Sequence, residues 1–392
     1  MTTEPGGAPW GRFDDLRAGD SRLLRATHGV LRADRLEDVE PVLRAAQAVA
    51  DEGRWAFGFV AYEAASALDP ALATHPGIDG LPLAWFGVAD EPLVVPPPAP
   101  AGSAGYAAGP WACAWTRERH ADAVATVRAR IAEGDTYQVN LTTRVTGPVG
   151  GDAAALYADL AAAQGGAHHA FLDTGRFAVV SASPELFFSW DRGEVTMRPM
   201  KGTARRGDNP AEDRRLADEL RTSPKERAEN VMIVDLVRND LARLSAEAPR
   251  VTALCEVETY PTVHQLVSQV TARAHDDVGL VDLFRALFPC GSVTGAPKAS
   301  TMRIIRDLED GPRGVYCGAI GLVAPRGGPT RFSVPIRTLL VDRERGTGTY
   351  GAGGGITWAS DPAAEYDELL VKARILPTTT PFTTPSVSST NA

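Results

Sequence analysis

The chain has 392 residues and a formal net charge of −9 at pH 7. An acidic balance of this size argues against nucleic acid or an anionic membrane surface as the main partner. No apolar run is long enough to span a bilayer, and the opening MTTEPGGAPW lacks the basic and hydrophobic regions of a signal peptide. We therefore expect a cytoplasmic protein with no nucleic-acid and no membrane partner.

Composition divides the chain into four parts. Residues 1–92 form an opening segment in which GRWAFGFVAYEAASALDP, at 53–70, predicts a strand. Residues 93–110 are rich in proline, glycine and alanine and predict an exposed linker or long loop. Residues 111–376 form one continuously folded region, and 377–392, mostly threonine, serine and proline, predict a disordered tail.

Lys201 lies in RPMKGTARRG, residues 198–207, between Pro199 and Gly202. A strand can end here, so that the lysine amine is aimed into a cleft. An amine acts as a nucleophile when burial or a neighbouring cation lowers its pKa. Three arginines of the segment can supply that cation or bind an anionic substrate: Arg198, Arg205 and Arg206. The alternative is a basic surface turn.

A helix is predicted from Ser223 to about Leu244. Ser223 is a hydroxyl N-cap, proline occupies the first helical position, and Glu226 completes a capping box. Glu229 lies about two turns into this helix, close to its apolar stripe. The predicted stripe comprises Val231, Val234, Leu236, Val237, Leu241 and Leu244.

A second helix is predicted after Asp361. On it Glu365, Glu368 and Lys372 share one face at i, i+3 and i+7, which by itself is typical of a solvated ladder of ion pairs. Taken with Glu229, these carboxylates suggest another role. Magnesium prefers oxygen ligands and is usually held by one or two carboxylates plus an anionic group of the substrate. We expect a Mg²⁺ site formed by Glu229 and Glu368.

Four cysteines are scattered along the chain without a CxxC pair, which indicates neither a disulfide framework nor a zinc site. Cys290, in FPCG, can be read as a catalytic thiol, but a small buried residue beside a glycine turn explains it better. Lys298, in GAPK, is interpreted as structural.

Six segments together resemble the chorismate-utilising enzymes, the family of anthranilate, aminodeoxychorismate, isochorismate and salicylate synthases. The resemblance covers about residues 115–376. It implies an α+β fold with two large antiparallel sheets packed orthogonally, helices outside, and the active site in the cleft between the sheets. The segments are GDTYQVNL (134–141), SPELFF (183–188), KERAENVMIVDLVRNDLARL (225–244), YPTVHQLVS (260–268), FPCGSVTGAPKASTMRIIRDLE (288–309) together with YCGAIG (316–321), and GAGGGITWASDPAAEYDELLVKARIL (351–376).

The resemblance also assigns roles. Glu229 and Glu368 match the magnesium ligands, with the ion on the ring carboxylate of chorismate. Arg337, in the strand-like RFSVPIRTLLV, matches an arginine used on the enolpyruvyl carboxylate. Glycines at 351–355 let backbone amides approach a carboxylate closely. The implied substrate contacts are Thr294, Arg337, Gly353, Gly354, Lys372 and His264.

Two positions indicate which reaction the family resemblance implies. Family members that add water have a lysine base where this chain has Gln138, whereas members that add ammonia tend to have glutamine. Aminodeoxychorismate synthases often read PIKGT where this chain reads PMKGT, and anthranilate synthases usually read PIAGT. Lys201 is then the nucleophile on ring carbon 2, followed by ammonia at carbon 4. Glu185 matches the general acid, a role that needs a raised pKa, although it can instead be a strand-end carboxylate paired to an arginine.

No stretch resembles the nucleophile loop of a class I glutamine amidotransferase, so we expect ammonia from a separate amidotransferase subunit. The expected product is 4-amino-4-deoxychorismate, a precursor of 4-aminobenzoate and folate. Two alternatives in the same class are an anthranilate synthase large subunit and an enzyme making 2-amino-2-deoxyisochorismate. A third, of another class, is a non-catalytic chorismate-binding subunit.

Overall fold

The computed structural model describes residues 7–102, 105–260, 263–325 and 328–378. Within these ranges the chain forms two antiparallel β-sheets, one of eleven strands and one of ten, with helices packed on them. The predicted α+β class with two antiparallel sheets is therefore confirmed.

The strands of each sheet are drawn from distant parts of the chain. The first sheet contains β1 (Trp10–Asp15), β2 (Asp20–Arg25), β6 (Leu93–Val94), β7 (Tyr106–Ala108), β8 (Ala112–Cys113), β9 (Gln138–Gly151), β10 (His168–Asp173), β11 (Phe177–Ser183), β17 (Gly295–Ala296), β20 (Thr338–Asp342) and β21 (Thr347–Ile356). The second contains β3 (Val30–Ala33), β4 (Trp55–Val60), β5 (Ala84–Ala89), β12 (Leu186–Asp191), β13 (Glu194–Met197), β14 (Met200–Arg205), β15 (Arg250–Thr259), β16 (Val263–Arg273), β18 (Ala319–Val323) and β19 (Thr330–Ser333).

The helices cover both sheets. They are α1 (Leu36–Asp51), α2 (Ala65–Leu68), α3 (Arg117–Ala132), α4 (Ala153–Gln164), α5 (Pro210–Thr222), α6 (Pro224–Ala242), α7 (Leu280–Leu287), α8 (Lys298–Leu308) and α9 (Pro362–Ala373). Two short 3₁₀ turns lie at Tyr62–Ala64 and Gly291–Val293.

Buried apolar side chains join the layers. Between the sheets, Phe59 and Trp85 of the second sheet share one cluster with Leu172 of the first. A separate cluster packs α1, α6 and α7 on the second sheet, and another packs α4 and α9 on the first. Aromatic and branched residues dominate these clusters, and burial of their apolar area is the main stabilising contribution.

The opening segment, residues 1–92, does not form a separate layer. Its β1 and β2 join the first sheet, and its β3, β4 and β5 join the second. The predicted strand within 53–70 is confirmed as β4. The expectation of an exposed linker at 93–110 is partly wrong, because β6 pairs with β2 and β7 pairs with β9. Small alanines and Tyr106 let β7 pack against α4, which composition alone could not reveal. Most of the expected tail, from residue 379 on, lies outside the described residues.

Two segments carry the chain from one sheet to the other and place candidate residues at the crossings. Glu185 lies between β11, in the first sheet, and β12, in the second. Arg337 lies between β19, in the second sheet, and β20, in the first, with a left-handed φ of +52°. The segment RFSVPIRTLLV, at 331–341, is therefore strand-like only in part: it includes most of β19 and β20, and residues 334–337 leave one sheet for the other.

Both predicted helices exist. Ser223 caps α6 by accepting a hydrogen bond from the Glu226 amide, and Asp361 caps α9 in the same way. The reciprocal half of the predicted capping box is not made, because the Ser223 amide bonds the Glu219 carbonyl at the end of α5. Val231 of the predicted stripe is exposed, and Ile233 takes the buried position.

Candidate active site

Lys201 and Gln138 meet at Gly355 although they come from different sheets. Lys201 is on β14 of the second sheet, Gln138 begins β9 and Gly355 is near the end of β21 in the first. A Cβ atom at Gly355 would lie 2.7 Å from Lys201 Nζ and 2.6 Å from Gln138 Nε2. Only glycine therefore leaves space for the two polar groups to converge.

The surroundings of the Lys201 amine lower its pKa. The residue is partly exposed, but its amine end is enclosed, and Nζ has no hydrogen bond to any described residue. Burial lowers the pKa of this amine, and the Lys372 ammonium lowers it further. Glu229, Glu185 and Glu368 oppose this shift. A larger fraction of free amine at neutral pH is what a nucleophile needs.

Glu185 is almost fully buried and is held by a serine. The Ser292 hydroxyl donates to its Oε1 at 2.7 Å. Burial raises the pKa of Glu185 to about 7, against the effects of the Ser292 hydrogen bond and the Lys201 charge. Among the described residues no arginine pairs with it, so that interpretation is wrong. A carboxyl group that is protonated near neutral pH can act as a general acid.

Gln138 is 1% exposed, yet its side-chain Nε2 and Oε1 have no hydrogen-bond partner among the described residues. Buried polar atoms nearly always have a partner, so an unpartnered amide beside a candidate nucleophile needs an explanation. A bound molecule that donates to Oε1 and accepts from Nε2 would supply one.

A second group of charges comes from α9. Lys372 Nζ donates to the Gly353 carbonyl at 2.8 Å and pairs with Glu368 Oε1 at 2.8 Å. A Cβ at Gly354 would lie 3.5 Å from Lys372 Nζ and 3.3 Å from Glu365 Oε2. The predicted ion pairing on this helix face thus exists between Glu368 and Lys372, next to the glycine run.

Carboxylates on α6 and α9 influence one another's pKa values. Burial raises the pKa of Glu229, and Glu226 and Glu365 raise it further. Burial and Glu368 raise the pKa of Glu365, whereas the Lys372 ammonium lowers the pKa of Glu368. Carboxylates that disfavour one another's ionisation in this way favour a bound cation.

In the part of the chain that the structure describes, no three Asp, Glu, His or Cys side chains are close enough to form a complete metal site. Two carboxylates with a substrate anion and waters are sufficient for Mg²⁺. The magnesium site expected at Glu229 and Glu368 stays a prediction.

Comparisons with known proteins identify the family. Residues 6–377 match the family model described as chorismate binding enzyme. The chain belongs to this family of chorismate binding enzymes. It is 46% identical over 268 residues, 68% of its length, to a protein of Streptomyces griseus named aminodeoxychorismate synthase. Over the same length it is 41% identical to aminodeoxychorismate synthase component 1 of Escherichia coli.

The aligned regions span only 36% and 58% of these two relatives, respectively. A crystal structure of anthranilate synthase component I from Streptococcus pneumoniae superposes with a TM-score of 0.75 and 26% identity, over 96% of this chain and 94% of that one. This match extends over both sheets and supports the fold expected of chorismate binding enzymes.

Three substrate contacts predicted for this chorismate binding enzyme are bound to protein groups here. His264 pairs through Nε2 with Asp213 and through Nδ1 with Thr259, both at 2.9 Å. Arg337 donates to Gln164, and burial lowers the pKa of its guanidinium. The fully buried Thr294 hydroxyl donates to the Cys290 carbonyl at 3.1 Å. The roles of these three residues in substrate binding stay predictions.

Two other expectations are settled by contacts. Lys298 Nζ bonds Asp240 at 2.9 Å and the Leu287 carbonyl at 3.1 Å, which agrees with a structural role. Burial raises the pKa of Cys290 to about 12, which disfavours a nucleophilic thiolate at neutral pH and agrees with the interpretation as a small buried residue. No described helix has the length and apolar character needed to cross a membrane.

Sequence reasoning did not select Ser292, and it considered Gly355 only as part of the glycine run at 351–355. Ser292 stands two positions before Thr294 in GSVTGAPK, and Gly355 closes the glycine run GAGGG. Both were inside quoted segments, but their contacts with Glu185, Lys201 and Gln138 appear only when the two sheets are brought together.

Proposed function

We propose that this chain converts chorismate and ammonia to 4-amino-4-deoxychorismate. The observation that carries the proposal is the convergence of the Lys201 amine and the unpartnered Gln138 amide at Gly355. The similarity to proteins named aminodeoxychorismate synthase supports the same reaction.

In the first step of the proposed mechanism, the free amine of Lys201 attacks ring carbon 2. The 4-hydroxyl leaves with a proton from Glu185, whose pKa of about 7 keeps much of it protonated at neutral pH. Buried charges favour this step, because Glu185 becomes anionic as Lys201 becomes cationic and the two attract each other in a medium of low polarity.

In the second step, ammonia attacks carbon 4 and expels the lysine. Gln138 suits this nucleophile, because its Oε1 can accept a hydrogen bond from ammonia but cannot remove a proton from water. The unpartnered state of both amide atoms leaves this bond available.

Magnesium would be held by Glu229 and Glu368, and it would neutralise a carboxylate of the bound substrate. Lys372, whose ammonium lies beside Gly353 and Glu368, would add positive charge for the same anion. The glycine run at 351–355 would bring backbone amides close to it.

Ammonia is proposed to come from a separate glutamine amidotransferase, in a cytoplasmic pathway that leads to 4-aminobenzoate and folate. The name component 1 carried by the relative from Escherichia coli supports a two-component assembly. The purified chain should accept ammonium salts, with more turnover as pH rises, and should not use glutamine until such a partner is added. Glutamine-dependent turnover by the chain alone would contradict this assignment.

The direct test is incubation with chorismate, Mg²⁺ and an ammonium salt, followed by mass spectrometry and NMR of the product. An amino group on carbon 4 is expected. An amino group on carbon 2 would instead support an anthranilate or aminodeoxyisochorismate synthase, the alternative favoured by the structural similarity to anthranilate synthase component I. Binding without any turnover would support the non-catalytic alternative.

A further inference from the structure

Lys201 lies at an irregularity of its sheet. In the pairing of β14 with β16, Met200 lies opposite Val267 and Thr203 opposite Gln265, so that β14 contains one extra residue. Gly202 adopts a left-handed φ of +91°, which favours glycine. A bulge of this kind bends the strand and changes the direction of a side chain.

Side-chain amides bind two backbone carbonyls of the bulge. Asn230 Nδ2 donates to the Lys201 carbonyl at 3.3 Å, and Gln265 Nε2 donates to the Gly202 carbonyl at 2.8 Å. The Thr203 hydroxyl in turn donates to Gln265 Oε1 at 3.0 Å. The bulge is therefore held from two sides.

The orientation of the Asn230 amide is fixed by its other partners. The Cys255 amide donates to the Ser268 hydroxyl at 2.9 Å, so this hydroxyl directs its own proton to Asn230 Oδ1 at 2.5 Å. Nδ2 also faces the Leu266 carbonyl, at 3.4 Å. Asn230 is 1% exposed, and a buried amide with partners on both ends has one favourable orientation.

Asn230 also follows Glu229 directly on α6. One residue thus connects the helix that carries a proposed metal ligand to the strand that carries the proposed nucleophile. A displacement of α6 relative to β14 would have to break the bond to the Lys201 carbonyl.

We infer that Asn230 and Gln265 are positioning residues that clamp the bulge and so aim the Lys201 amine at the reacting carbon. The inference rests on the proposed function for what Lys201 does. Reactive geometry is demanding, and misplacement by about 1 Å can cost about a hundredfold in rate. The clamp touches only the backbone of the nucleophile, so it acts through Lys201.

The test compares Asn230→Ala and Gln265→Leu with the control Gln269→Leu. Gln269 is on the same strand as Gln265, but it is more exposed and bonds only Thr252 Oγ1 among the contacts described. We expect kcat to fall about a hundredfold in both clamp variants, with little change in the KM for chorismate and a larger share of carbon 2 amination. The control should retain wild-type kcat and product.

Double variants that combine a clamp substitution with Lys201→Ala show whether the clamp residues position Lys201 or only stabilise the fold. If the clamp acts through Lys201, adding Asn230→Ala or Gln265→Leu to Lys201→Ala should cause no further loss of rate. Losses that add in full, or that simply follow the fall in Tm, would overturn the inference. If Asn230→Ala does not fold, Gln265→Leu alone decides, because leucine keeps most of the volume of this buried side chain.

A last measurement is independent of the reaction catalysed. Labelling of Lys201 by an amine-reactive acylating reagent, followed by mass spectrometry against pH, reports the environment of its amine. The clamp variants should shift this labelling profile to higher pH as the amine leaves its enclosed position, and an unchanged profile would refute the clamp. If the wild type makes no carbon 4 product, the proposed function fails while this measurement still tests the clamp.

Discussion

Two buried polar clusters lie between the same two sheets, and they differ in how completely their atoms are paired. In the first, Arg313 donates to Glu309 at 2.9 and 2.6 Å, to the Val293 carbonyl at 2.7 Å and to the Asn140 carbonyl at 2.8 Å. Its backbone amide bonds Glu63 at 2.7 Å. This arginine cluster has a partner for each of its charges.

The second cluster comprises Lys201, Glu185 and Gln138. Across the ranges that the structure describes, the lysine Nζ and both amide atoms of the glutamine have no hydrogen bond, and the glutamate has Ser292. Burial raises the pKa of Glu63 to about 7, as it does for Glu185. A raised pKa therefore does not distinguish a structural from a catalytic carboxylate here, and the two clusters differ instead in the pairing of the groups beside that carboxylate.

The largest effect is expected from the proposed metal ligands. Glu229→Gln or Glu368→Gln should abolish turnover at ordinary Mg²⁺ concentrations, because each loses a ligand charge but keeps its volume. Steady-state assays over a Mg²⁺ titration measure this. Asp367→Asn is the matched control on α9, since Asp367 pairs with Arg117 outside the site. Full activity of both glutamine variants would remove the metal assignment.

The next effect concerns the nucleophile. Lys201→Ala should lower formation of aminodeoxychorismate by about 10³-fold or more, because it removes one of two displacement steps. Some carbon 2 amination should appear as ammonia attacks that carbon directly, and mass spectrometry with NMR would detect it. A lysine that serves only as an electrostatic contact predicts partial rescue by Lys201→Arg with the product unchanged.

The arginine cluster should respond in stability instead. Arg313→Met leaves the Glu309 charge buried without its partner, and we expect the free energy of unfolding to fall by about 3–5 kcal/mol. Lys201→Met, in the unpaired cluster, should leave stability unchanged or raise it. Denaturant unfolding of both variants measures the difference. Equal losses of stability in the two variants would contradict the proposed difference between the paired and the unpaired cluster.

Local sequence signals predicted the parts of this structure that depend on neighbouring residues. Ser223 and Asp361 cap their helices because a hydroxyl or carboxylate binds amides a few positions later. The bond from Ser292 to Glu185 joins residues 107 positions apart and depends on the pairing of both sheets. The bulge at Lys201 likewise cannot be predicted from the sequence, because it is defined by the pairing register of β14 against β16.

Family resemblance supplied part of what local signals could not. It selected Lys201, Glu185 and Gln138, which the structure brings together. It could not show that His264 and Arg337 are bound to Asp213 and Gln164, because those partners lie outside the quoted segments.

The smallest effect is expected at Ser292, and it is an effect on pH dependence. If Glu185 is the general acid, activity requires its protonated form, so at a constant concentration of free ammonia the rate should fall as pH rises through about 7. The Ser292 hydrogen bond stabilises the ionised form and lowers this pKa. Its removal in Ser292→Ala should raise the pKa and move the alkaline limb of the profile to higher pH.

The assay needs a constant concentration of free ammonia, because ammonium also loses its proton as pH rises. Ser300→Ala is a matched control, since that hydroxyl bonds the Asp135 carbonyl and lies away from Glu185. Glu185→Gln should abolish the limb altogether and lower kcat by about 10²–10⁴-fold. A limb that stays in place in Ser292→Ala but disappears in Glu185→Gln would keep the acid and reject the role of the serine. A limb that survives in Glu185→Gln would assign the acid to another group.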